Sequence, residues 1–245
     1  MVATPSTTPK PPILYPSSDG EPVAETYAHL YALLVTLEVL QQYLSGQQAT
    51  VLANQFLYYA QGFPRLRVAP DVMVIFDVAP GGRDNYKIWE EGQVPSVVFE
   101  MTSASTRNYD ESFKYTLYEQ LGVQEYWLFD PRGEWLDPPL QGYRLRGETY
   151  EPITDGRSAP LQLRLQADGP LISFYREDSG EKLLIPAELA QAVEQEALQR
   201  EQAERQAEQA RQRAEAERQR AEAAEAELAR LQEKLRSLGV DPSEG

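Results

Sequence analysis

The sequence predicts a mixed α/β (α+β) domain, a central mixed sheet flanked by helices, with a long C-terminal helix appended. Three patterns predict it. A helical apolar repeat opens the folded region, short strand-like segments fill Ala49 to about Pro186, and the composition changes abruptly near Ala187. At 245 residues the chain is long enough for one sizeable core, or one domain plus an appendage.

Residues 1–20, rich in Pro, Ser and Thr, are expected to form a disordered tail without the apolar centre of a signal peptide. The folded domain is expected over 21–186. From Pro22 to Leu44, apolar residues recur at helical spacing (Leu30, Leu33, Leu34, Leu37, Leu40, Leu44), which predicts an amphipathic helix with Pro22 near its start. The segments TVLANQFLYYA, RLRVAPDVMVIFDV, PSVVFEMTS, VQEYWLFD, GYRLRGETYEPI and LQLRLQ are β-branched or aromatic and bounded by Gly, Pro and Asp, as strands are. Between them DESFKYTLYEQL (Asp110 to Leu121) reads as a helix stopped by Gly122.

Residues 187–238 are rich in Ala, Glu, Gln and Arg. Spacings of three and four pick out Ala203, Ala207, Ala210, Ala214, Ala221, Ala224, Leu228, Leu231 and Leu235, interrupted by Glu217. Alanine buries little, so this seam is weak except at its leucine-rich end. A single solvated helix held by i,i+4 charge pairs and a coiled coil that makes a homodimer both fit the pattern. Residues 239–245 close the chain as a short tail.

Composition narrows the chemistry. Without cysteine there are no disulfides or thiolate metal sites, and with His29 alone there is no multi-histidine site and little room for a Ser-His-Asp triad. His29 itself reads as a partly buried, satisfied residue. A metal would be expected to have oxygen ligands, Mg²⁺ or Mn²⁺ before Zn²⁺. No apolar run approaches the ~18 residues of a membrane span, so a soluble, cytoplasmic protein is expected. The net charge of −15 opposes a general electrostatic grip on nucleic acid.

Two acids stand out. Asp71 follows Pro70 at the start of VMVIF and, taken alone, reads as a solvent-facing acid at a strand end. Glu100 sits inside VVFEMTS, where an unpaired charge would cost several kcal/mol, so it needs a cation, a metal or a proton. Strand alternation sets Val98, Glu100 and Thr102 on one face and Phe99 and Met101 on the other. Acids on adjacent strands can chelate one divalent ion, which polarises a phosphate and lowers the pKa of a bound water. A cation must also steady the transition state. Thr102 occupies the simplest position for it and cannot serve. Lys114 shares a helix face with Leu117, Tyr118 and Leu121, which aims it at the sheet if that face packs there and at solvent if it does not.

The Pro70–Asp71 pair, FEMTSAST, Asp110 with Lys114, and LYEQLGVQEYWLFDP occur in that order, together with YPSSDGEPVAET, RDNYKIWEEG and LQGYRL. This succession resembles the Uma-type restriction endonuclease family of the PD-(D/E)XK nuclease superfamily, over roughly residues 15–165. The resemblance implies a restriction-endonuclease-like core, with Mg²⁺ (Mn²⁺ as a substitute) held by Asp71 and Glu100. It implies Lys114 as the displaced catalytic lysine, Glu25 as an auxiliary catalytic residue, and DNA as substrate. Thr102 departs from the family's literal motif. The competing expectation is a catalytically silent nuclease-like scaffold that assembles through its C-terminal helix.

Overall fold

The fold is given by a computed structural model that describes residues 13–20 and 25–237. Most of the expected N-terminal tail, the expected helix start at Pro22 and the tail at 239–245 lie outside the described residues. The chain divides into two compact units, Met1–Pro186 and Ala187–Gly245.

In the first unit, α1 (Tyr27–Tyr43) is followed by β1 (Ala49–Ala53), β2 (Leu57–Tyr58), β3 (Arg67–Val68), β4 (Val72–Phe76), β5 (Tyr86–Lys87), a single turn α2 (Ile88–Glu91) and β6 (Val97–Met101). A helical segment comes next: α3 (Arg107–Tyr109), a π-helical turn (Asp110–Lys114) and α4 (Tyr115–Leu121). The unit ends with β7 (Glu125–Phe129), β8 (Leu140–Arg146), β9 (Thr149–Ile153), β10 (Arg157–Ser158), β11 (Leu163–Asp168) and β12 (Leu171–Arg176).

The expected mixed sheet is present. Six strands lie in the order β1-β4-β6-β7-β8-β9. Within this sheet β6 and β7 run parallel and the other pairs are antiparallel. A parallel pair needs a long crossover, and the α3–α4 segment supplies it. Both central strands are buried at every position, because helices and small sheets cover both faces. Phe99 and Met101 pack into the layer holding α1, β11 and β12, while Val98 packs with Tyr118, Tyr126 and Leu128 beneath α4. This is the expected alternation, and it turns Glu100 toward α4.

The first helix begins at an N-cap, Thr26, whose hydroxyl accepts the His29 N–H (3.3 Å). Its buried face differs from the expected leucine stripe. Leu33, Leu40 and Leu44 are inside and Leu37 is half-buried, but Leu30 and Leu34 are 47% and 45% exposed. The face turned inward instead carries Ala32, Val35, Thr36 and Val39. α1 packs against both β1 and β12, and these small or β-branched residues let its backbone approach two surfaces at once. The expected helix over Asp110–Leu121 begins three residues earlier, at Arg107, contains the π-turn, and ends at Gly122 in the left-handed conformation (φ 81°).

The second unit is a helix, α5 (Pro186–Ser237), of 52 residues. Its described side chains along the expected seam are solvent-exposed within the single chain, and so are Val193 and Leu198; the side chain of Leu235 lies outside the described residues. Charge pairs one turn apart, Arg205–Glu201 (2.5 Å) and Arg218–Glu222 (2.9 Å), run along it. No described helix is long and apolar enough to cross a membrane.

Gly142 on β8 faces Trp127 on β7, and a Cβ there would lie 2.5 Å from the indole ring. Gly142→Ala should therefore destabilise the domain by about 1–3 kcal/mol through overpacking, read as a lower urea midpoint with an unchanged slope. An unchanged midpoint would show that the indole can move aside freely.

Candidate functional site

The site is built where the start of β4 meets the end of β6. These strands are antiparallel with Val72 opposite Phe99, so the register one residue further on sets Asp71 across from Glu100, both on the α4 face. Asp71 is held on two sides. The Asn54 N–H donates to the carbonyls of Pro70 and Asp71 (3.0 and 3.1 Å), and the Met101 N–H donates to Asp71 Oδ2 (2.6 Å). Asp71 is thus a buried acid, not the solvent-facing strand end that it resembles in isolation.

Glu100 is fully buried, and both its oxygens are engaged. Lys114 Nζ lies 2.7 Å from Oε2, and the Tyr118 hydroxyl donates to Oε1 (2.8 Å). Lys114 and Tyr118 are one turn apart, so a single helix face supplies both groups. Lys114 Nζ also lies 3.1 Å from Asp110 Oδ1. The π-turn spans these two residues; its wider i→i+5 loop turns both Asp110 and Lys114 inward. The Tyr126 hydroxyl pins this turn from the sheet by donating to the Asp110 carbonyl (3.1 Å).

A second group sits on the other side of Asp71. Glu25, just before α1, and His29, in its first turn, bring their side chains together: Nε2 is 2.5 Å from Glu25 Oε2 and 3.5 Å from Asp71 Oδ1. One donor atom from each of Glu25, His29 and Asp71 lies within 4.8 Å of the others. The structure therefore brings Asp71, Glu100 and Lys114 into one cluster and sets Glu25 beside it through Asp71.

Carboxyls outnumber cations here, and the proton affinities show it. Burial pushes the Glu100 carboxyl up to about 8, with Lys114 as the main opposing influence. Burial works against the Lys114 ammonium, but the fields of Glu100, Asp110 and Asp71 override it and hold the lysine protonated well above its ordinary range. Asp110 and Glu25 are raised by burial, opposed by Lys114 and by His29 respectively. His29 is raised as well: burial lowers it, and Asp71 and Glu25 prevail. An oxygen-rich pocket with surplus negative charge fits a hard divalent cation, with Asp71, Glu100 and Glu25 as oxygen donors.

A cavity of about 360 Å³ opens beside this cluster, lined among others by Glu25, His29, Thr102, Ser103, Thr106 and Trp135. Thr102 points the same way as Glu100, and its buried hydroxyl has no hydrogen-bond partner. Ser103, Ser105 and Thr106 shape the turn into α3, with the Ser103 N–H donating to Thr106 Oγ1 (3.0 Å). Arg67 stacks on Phe56, and Arg107 pairs with Glu111 (3.0 Å).

Three participants went unassigned in the sequence: Tyr118, Asp110 as a partner of Lys114, and His29. Their signal was spacing, since each is four residues from a recognised member (Lys114, Lys114 and Glu25).

Residues 12–168 match the model of the Uma2 family, whose printed description is "Putative restriction endonuclease". A solved structure of a "putative nuclease belonging to DUF820" from Anabaena variabilis aligns with a TM-score of 0.41 at 14% identity, covering 58% of this chain and 77% of the other. No curated protein matches the chain.

Removing the ammonium would leave Glu100 and Asp110 buried without a counter-charge. Lys114→Met should lower the stability of the metal-free protein by about 3–5 kcal/mol in chemical denaturation. A cost below about 1 kcal/mol would show that the lysine does not neutralise the pocket.

Proposed function

The chain belongs to the Uma2 family, and on that premise we propose that it is a Mg²⁺-dependent endonuclease hydrolysing DNA phosphodiester bonds. The observation that carries this reading is the convergence of Asp71 and Glu100 on one sheet face, with the Lys114 ammonium 2.7 Å from Glu100 and surplus negative charge around it. Asp71 and Glu100 would hold the cation, with Glu25 as an auxiliary ligand or base. The chemistry a divalent ion would supply there is polarisation of the scissile phosphate and a lowered pKa for an attacking water.

The chain's own groups do the positioning. The Met101 N–H fixes one Asp71 oxygen, and the other faces His29 Nε2 at 3.5 Å. The Tyr118 hydroxyl and Lys114 fix the Glu100 carboxylate from both ends, and each oxygen keeps a lone pair for the metal. An ammonium has three donors. Lys114 donates one to Glu100 and sits 3.1 Å from Asp110 Oδ1 as an ion pair, and a remaining donor can orient the attacking water or meet charge growing on the phosphorane-like transition state. Lys114 thereby does what Thr102 cannot do at the family's usual lysine position.

Asp71→Ala and Glu100→Ala should each reduce Mg²⁺-dependent cleavage of plasmid and linear DNA by at least about a hundredfold while the circular dichroism spectrum is retained. Cleavage that survives both changes would remove the mechanism.

A second reading concerns assembly. The seam of α5, with Leu228 and Leu231 more than half exposed in the single chain, supports a homodimer through this helix. The same helix would serve a catalytically silent scaffold equally well. Sedimentation should give a dimer mass for the full chain and a monomer mass for residues 1–186. Equal oligomeric states would refute the role of α5.

A further inference from the structure

We propose that His29 is a metal ligand: its Nε2, with the carboxylates of Glu25 and Asp71, gives the centre a nitrogen donor and tunes it for Mn²⁺ over Mg²⁺. The inference rests on the metal-dependent reading above and refines which ion that centre is built to hold.

The imidazole is the observation that carries it. His29 is 7% exposed, and its buried Nε2 has no hydrogen-bond partner. It faces two carboxylate oxygens at 2.5 and 3.5 Å, yet neither contact has the alignment of a hydrogen bond. A buried nitrogen without an aligned partner is costly, so one aimed between two carboxylates is short of a group to bind. A proton could be shared there, but a cation satisfies all three donors together.

The dimensions suit a metal. At a bond length of about 2.1 Å, octahedral ligand atoms lie roughly 3 Å apart when adjacent and about 4.2 Å apart when opposite. The Glu25, His29 and Asp71 donors span at most 4.8 Å, so an inserted ion requires side-chain adjustments of only some tenths of an ångström. The donors are also held in advance. The Thr26 hydroxyl fixes the His29 backbone at the helix start, and Glu25 lies four residues before His29. Asp71 is anchored through its other oxygen by the Met101 N–H.

The donor set decides selectivity. Mg²⁺ prefers oxygen and gives up its water reluctantly, whereas imidazole favours first-row transition ions. With no cysteine in the chain there is no thiolate to pull the site toward softer metals, and carboxylates predominate. Among the common ions, Mn²⁺ suits such a carboxylate-rich site with one nitrogen. This differs from the all-oxygen donor set expected from composition, in which His29 had no part.

The chain's single histidine makes the test direct, because any imidazole nitrogen bound to the ion must be that of His29. Untagged full-length protein is loaded with Mn²⁺ and studied by pulsed electron paramagnetic resonance, with natural-abundance histidine and then with ¹⁵N-histidine. The expected result is a nitrogen modulation that changes with the isotope. Calorimetry should show Mn²⁺ binding on the order of tenfold or more tighter than Mg²⁺, with His29→Gln losing most of that preference. Saturable Mn²⁺ binding that depends on Asp71 but shows no isotope-sensitive nitrogen signal would overturn the role of His29 and leave the metal-dependent nuclease reading intact. Failure of the wild-type protein to bind either ion would overturn both.

Discussion

The structure depends on how it keeps Glu100 inside. A carboxylate at the centre of a strand buried on both faces is tolerable only where its charge is answered. Here one helix face answers it twice, with the Lys114 ammonium on one oxygen and the Tyr118 hydroxyl on the other. Both partners come from the crossover that joins β6 to β7. The connection that makes the parallel pair possible is therefore also what makes the buried acid possible. Packing and site chemistry share one element, and a change to either is felt by both.

The π-turn shows how that sharing is achieved. In a regular α-helix, Asp110 and Lys114 would already be neighbours on one face. Widening the turn lets both side chains lie inward together and still leaves Tyr118 in register with Glu100. The cost is poorer backbone hydrogen bonding, partly offset by the Tyr126 hydroxyl that reaches the Asp110 carbonyl from the sheet. Turns of this kind are frequent at functional sites because they re-aim side chains without breaking the helix.

Much of this was legible in the sequence because it follows from local rules. A carboxylate within an apolar run marks Glu100, whereas Asp71 alone read as a solvent-facing strand end. Helical spacing from Leu117 and Tyr118 left Lys114 open between sheet and solvent, and the family resemblance brought both into the site. Period-two alternation was enough to set Glu100 and Thr102 on one face with Val98, and the fold turns that face toward α4. What was not legible depends on distant partners. The rotation of α1, which leaves Leu30 and Leu34 outside, is decided by β12, more than a hundred residues away. The π-turn is invisible to hydrophobic periodicity. His29 is the clearest case. Its spacing from Glu25 is plain, but α1 packs on the sheet face opposite Glu100, and only the assembled fold reveals that its first turn reaches Asp71.

The acidity that seemed to oppose a nucleic-acid partner takes a different meaning once the site is assembled. Without a metal ion, Glu25, Asp71, Glu100 and Asp110 crowd a single ammonium and one imidazole, burial raises Glu25, Glu100 and Asp110 toward protonation, and a phosphodiester would meet an oxygen-rich pocket with little positive charge to hold it. In the proposed reading, metal must therefore load before substrate, because the ion converts that pocket into one that attracts a phosphate oxygen. The net charge of −15 acts in the same direction at longer range, discouraging non-specific association with nucleic acid and leaving recognition to the metal-loaded site. In the proposed reading negative charge would then work as a gate, keeping the chain off the polyanion until a bound cation reverses the local field.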